Sequence, residues 1–135
     1  MSTNDSYQVQ VTSFAETHYL KAFAKRYKGS QWDFTLRSIL LDLSKIDEFI
    51  KTDKIETIHV SGQNLIVKQY FRIALTKDSA KASGYRLIAH VDKLSRSIDI
   101  LLMYSKNEIC APHETTKWRE LIKANHKDVA ERFGL

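Results

Sequence analysis

Lys68, Tyr70 and Arg72 alternate along one run of the chain, and Arg86, Ile88 and His90 alternate along the next. Residues two apart on a strand share a face. Two such strands side by side would therefore bring two arginines, a lysine, a tyrosine and a histidine onto one small surface. Arginine's planar fork matches phosphate oxygens, and a tyrosine offers a stacking ring or a hydroxyl. Histidine changes charge near neutral pH and can move protons. This set suits a phosphate-bearing polymer. The same alternation also describes the solvated face of any amphipathic sheet, so the pattern alone leaves both readings open.

The elements that must position these residues follow from periodicity. "YQVQV" alternates and reads as a first strand. Ser13-Phe14-Ala15-Glu16 has capping-box form, and Leu20, Phe23, Ala24 and Tyr27 then recur at helical spacing. After Gly29, Trp32, Leu36, Ile39, Leu40, Leu43, Ile46 and Ile50 make the apolar stripe of a second helix, so the two form a helical hairpin. Residues 54–64 are ambiguous: "IETIHV" fits a short strand and "SGQN" is turn chemistry.

From Leu65 the period becomes two. Val67, Gln69, Phe71, Ile73 and Leu75 share one side, which groups them with Tyr85, Leu87 and Ala89 against the helices. "SIDILLMYS" is apolar on both sides, as in a central strand covered twice. Trp118, Leu121, Ile122, Val129 and Phe133 predict a C-terminal helix, broken near Asn125. The fold class is α+β: an N-terminal strand, a helical hairpin, an antiparallel three-strand meander and a C-terminal helix. With the helices on one sheet face, the basic face would be free.

At 135 residues the chain is expected to form one domain. A net charge of +5 favours an anionic partner. The single cysteine, Cys110, permits no intrachain disulfide, and no run approaches a membrane span, so a cytoplasmic location is expected. Cys110 with His113 is too small a set for zinc, and "HExxH" and paired "CxxC" are lacking, so no metal or other cofactor is expected. Lys25 and Arg26, with Lys21 and Lys28, could track RNA or could complement a helix C-terminus.

"YFRIAL", a polar loop, "SGYRLIAHVD", a short turn and "SIDILLMYSKNE" resemble, in that order, the RelE/ParE-like toxins of bacterial type II toxin–antitoxin systems. The resemblance covers about residues 7–110; a helical extension over about 114–134 has no counterpart in it and could shield a sheet edge. It implies a compact toxin, held by a cognate antitoxin that covers the basic face. In the RelE branch it implies a ribosome-dependent mRNA endonuclease that inhibits translation without a metal, through attack of a ribose 2′-OH on the adjacent phosphate. The resemblance assigns catalytic roles to Arg86 of "GYR", to Arg72, to Lys106 after the last strand and to His113 as the proton-transfer group, with His90 competing for that last role. Lys68, Tyr70, His90, Lys25 and Arg26 would bind the nucleic acid. Ala74 and Asn107 stand where the family has basic residues. These departures keep two alternatives in view: a ParE-like toxin that acts by binding, for instance to DNA gyrase, and a basic RNA-binding module without catalysis.

Overall fold

Thr12, one residue before the expected cap, starts the first helix. Its hydroxyl oxygen accepts from the Ala15 N–H at 3.2 Å and donates to the Ile100 carbonyl at 3.0 Å. The cap therefore also pins the helix start to the sheet. The structure, a computed structural model, describes residues 6–50, 52, 54–76, 84–105 and 113–135.

Helix α1 runs over residues 13–26 and contains a π-helical turn, Glu16–Leu20. Gly29, at φ +68°, makes the reversal into α2, Ser30–Ser44, which a short α3, Ile46–Phe49, follows. A β-carbon would strain that positive φ, which is why glycine ends the hairpin turn. The strands are β1, Gln8–Val11; β2, Ile55–Ser61; β3, Asn64–Phe71; β4, Tyr85–Asp92; and β5, Ser97–Ser105. They form one sheet in the order β1-β5-β4-β3-β2. β1 lies parallel to β5, and the other neighbours are antiparallel. The ambiguous segment is thus a strand, and the meander has four strands rather than three.

The C-terminal segment forms α4, Glu114–Asn125, and α5, Lys127–Phe133, with the break at His126. The His126 ring is hydrogen-bonded to the Leu101 carbonyl at 3.1 Å, which ties the break to β5. Among the described residues, no helix is long and apolar enough to cross a membrane.

Both faces of the sheet are covered. On one, Leu20, Phe23, Trp32, Ile39 and Leu43 pack on Val67, Phe71, Leu87, Ala89 and Ile100. On the other, Trp118, Ile122 and Ala130 pack on Ile66, Ile88, Leu102 and Tyr104. β5 serves both cores through a bulge. Ile88 and Ala89 pair with Leu102 and Ile100, leaving Leu101 as the extra residue. This overturns two expectations. The second face is not free, and the C-terminal helices lie across that face rather than along an edge. The twofold apolar character of "SIDILLMYS" and the stripe from Trp118 to Phe133 are two halves of one interface.

Candidate functional site

The pairing of β3, β4 and β5 sets Tyr70 opposite Arg86 and Arg86 opposite Tyr104. This row crosses three adjacent strands on the face that α4 covers. Lys68 is one step further along β3 on the same side, and Glu56 of β2 pairs with it.

Into this row comes Glu114, the first residue of α4. Glu114, Trp118 and Ile122 are spaced four apart, so they share the helix side that meets the sheet. Burying Trp118 and Ile122 therefore aims Glu114 at the row. Arg86 Nη1 donates to Glu114 Oε1 at 2.6 Å, and the Tyr104 hydroxyl donates to Oε2 at 2.6 Å. Lys68 Nζ lies 3.6 Å from Glu114 Oε2 and 3.5 Å from Glu56 Oε1. The Tyr70 hydroxyl donates to Glu56 Oε1 at 2.8 Å. The Arg86 guanidinium lies 5.2 Å from the centre of the Tyr70 ring, within cation–π range. Lys68 and Arg86 are thus offset by Glu56 and Glu114, and the cluster is formally neutral.

Burial pushes the Tyr70 hydroxyl up to about 12, with the Glu56 bond adding to it. Tyr104 is raised by burial and by its bond to Glu114. Both tyrosines are therefore protonated donors at neutral pH, not bases. Burial alone would raise the Glu114 carboxyl. The hydrogen bonds from Tyr104 and Arg86, with the charges of Lys68 and Arg86, outweigh it and hold Glu114 below its ordinary 4.5. For Arg86, burial opposes the charge, but the Glu114 bond and charge prevail and keep the guanidinium ionised.

Because Glu114 titrates lower in the folded chain than in the unfolded one, its stabilisation is complete above the ordinary value of 4.5. It is lost as pH falls through the lower folded value. Glu114→Gln should therefore flatten this part of the acid limb, seen as a smaller drop in urea midpoint between neutral and acid pH than the parent shows.

The sequence-derived site residues are only partly gathered. Arg86, Lys68 and Tyr70 converge as expected. Arg72 does not. β3 ends at Phe71, Arg72 is exposed, and its Nη1 donates to the Thr76 carbonyl at 3.3 Å. It lines a cavity of about 320 Å³ with Phe34, Thr35, Asp42 and Gln69, on the α2 side of the sheet. The two arginines thus lie on opposite sides. The expected alternation failed because β3 ends at Phe71 rather than running on to Leu75, so Arg72 is outside the strand whose pleat would have fixed its face.

His90 shares the Arg86 side but sits further along β4. Its Nε2 is 2.9 Å from Asn64 Oδ1, its ring packs edge-on to Phe133, and burial lowers its pKa. This is a satisfied structural histidine, outside the row. His113 is exposed at the start of α4, beside Glu114 in the chain. Lys106 lies outside the described residues. Lys25 and Arg26 are exposed on the last turn of α1, on the opposite side of the sheet from Glu114. Sequence reasoning missed Tyr104, Glu56 and Glu114. Among the described residues, no group of three or more histidine, cysteine, aspartate or glutamate side chains could hold a metal ion.

No protein-family model matches the sequence, and no curated protein matches it significantly. The fold does match a solved structure: a chain of the archaeal RelE–RelB complex from Pyrococcus horikoshii OT3, with a TM-score of 0.50 over 75% of this chain and 96% of that one, at 13% identity. The chain has a RelE-like fold. The RelE-like portion takes in nearly all of the archaeal chain, while a quarter of this one falls outside the match. At such low identity the likeness carries the architecture alone, and the side-chain chemistry is this chain's own.

Proposed function

We propose that the protein is the toxin of a toxin–antitoxin pair and a metal-independent endonuclease that cleaves messenger RNA on the ribosome, in the cytoplasm. One observation carries this reading: Arg86, Lys68 and Tyr104 converge on a single carboxylate, so the RelE-like sheet has a seat for an oxyanion. The fold supports the class of protein, and the seat supports the chemistry.

In the reaction, the 2′-oxygen bonds to phosphorus while the bond from phosphorus to the 5′-oxygen breaks. The products are a 2′,3′-cyclic phosphate and a free 5′-hydroxyl. Arg86 and Lys68 offset the charge that grows on the phosphorane, and Tyr104 donates to one of its oxygens. His113 takes the 2′-hydroxyl proton and returns it to the leaving 5′-oxygen. Lys106 adds charge from the segment between β5 and α4. Lys25 and Arg26 contact ribosomal RNA, and an antitoxin neutralises the whole by covering this surface.

A second reading, a toxin that acts by binding alone, is favoured by the position of Arg72, which leaves the seat with one arginine. Incubating the purified chain with translating ribosomes separates the two. The endonuclease yields 2′,3′-cyclic-phosphate ends, the mark of attack by the ribose 2′-hydroxyl rather than by a metal-activated water. A binding toxin arrests growth on expression and leaves message intact.

A further inference from the structure

We infer that the Glu114 carboxylate stands where a nucleic-acid phosphate binds, so that phosphate binding and the docking of Glu114 exclude one another. The identity of the anion rests on the RNA reading above; the competition itself does not.

The donor set is the first argument. A single carboxylate receives Arg86 and Tyr104 at 2.6 Å each, with Lys68 at 3.6 Å. Arginine, lysine and hydroxyl donors around one oxyanion serve a phosphate as well as a carboxylate. Glu114 also uses the arginine incompletely. Only Nη1 bonds to it, and the buried Nε has no partner among the described residues. A phosphate oxygen pair could engage the fork from two nitrogens, which a carboxylate held in this pose does not.

Charge is the second argument. With Glu114 seated, Lys68 and Arg86 face two carboxylates, Glu56 and Glu114, and the charges of these four groups cancel. A phosphate entering beside Glu114 would be a third negative group against two cations. With Glu114 withdrawn, the same cluster carries one net positive charge and an open arginine fork.

Position is the third. Glu114 is the first residue of α4 and precedes the anchors: Trp118 is one turn later and Ile122 two. The N–H of Lys117 bonds to the His113 carbonyl at 2.9 Å, closing the opening turn. Opening that turn, or swinging the Glu114 side chain alone, frees the seat without lifting either anchor from the sheet. Helix ends open far more readily than packed interiors. The device is therefore a one-residue latch on a fixed helix, not a helix that detaches.

The test uses the full chain, as parent and as Glu114→Gln, with inorganic phosphate and with a 2′-O-methyl RNA oligonucleotide that cannot be cleaved. Phosphate is expected to raise the melting temperature of Glu114→Gln at concentrations that leave the parent unchanged. The variant is expected to bind the oligonucleotide roughly tenfold tighter, within the usual span of coupling between linked sites. Its log–log salt slope should steepen by about 0.7, one further phosphate contact on a single strand. A folded Glu114→Gln with the parent's phosphate response and equal or weaker RNA affinity overturns the inference. Should that variant not fold, Glu114→Asp is measured by the same criteria; its carboxylate stops a methylene short of Arg86, and a smaller gain in the same direction is expected. A phosphate response in Glu114→Gln, with message on translating ribosomes left intact by both proteins, upholds the competition and defeats the endonuclease reading.

Discussion

Arg86→Ala is expected to lower RNA cleavage by about 10²–10³-fold, the usual loss when one preorganised donor to developing negative charge is removed. It should also cost ~3 kcal/mol of stability, because truncating one partner leaves the other as a mostly buried charge without its strongest bond. Glu114 is 9% exposed and would keep only Tyr104 and a longer contact to Lys68. The two effects can be separated. In Arg86→Ala/Glu114→Ala no orphaned carboxylate remains, so stability recovers in large part while cleavage stays lost. Urea unfolding and single-turnover cleavage rates, measured on the same preparations, report the two quantities. Arg86→Lys keeps the charge and gives up the fork, so it should fall between parent and alanine in rate. An alanine variant that both cleaves and unfolds like the parent would remove Arg86 from the site and from the ion pair at once.

Trp118→Ala should be the most destabilising single change in the C-terminal segment, by about 3–5 kcal/mol. The indole is 1% exposed and sits among Ile66, Ile88, Leu102 and Tyr104. For a chain of this size, that corresponds to a fall in melting temperature of roughly 10–20 °C. If α4 only lay loosely against the sheet, the same substitution would move stability by no more than ~0.5 kcal/mol, as surface changes do. Thermal unfolding followed by circular dichroism decides between them. The result bears on function too, since Trp118 is what holds Glu114 over the row.

Much of the architecture was legible because it is written in local periodicity. The first strand, the helical hairpin and the alternation of β3 and β4 all follow from spacings of two or of three and four. So does the side to which Arg86 points. β2 was harder. "IETIHV" is a strand at the sheet's edge, with a register shift between Thr57 and His59 that spoils its alternation.

The covered second face was half legible. β5 is apolar on both sides and the tail carries an apolar stripe, but periodicity in one element does not name the surface that another will meet. Glu114 lay beyond sequence reasoning for the same reason. A glutamate at the start of a helix is ordinary, and nothing local to it points to Arg86, 28 residues away in sequence. Tyr104 was hidden within an apolar run. Arg72 was misassigned because the alternation was carried past Phe71 as far as Leu75, through a turn where Leu75 is exposed and adopts φ +70°. What remained out of reach was pairing between distant elements, and the site is made of such pairs.

In the proposed reaction the row Tyr70–Arg86–Tyr104, with Lys68, acts on the phosphodiester backbone of RNA. Its most direct test is to incubate the purified full chain with translating ribosomes and sequence the message ends. New 3′ ends bearing 2′,3′-cyclic phosphate, matched by 5′-hydroxyl ends, are expected, and they should disappear in Arg86→Ala/Glu114→Ala. Intact message beside a folded protein, or the same cleavage from that double variant, would contradict it.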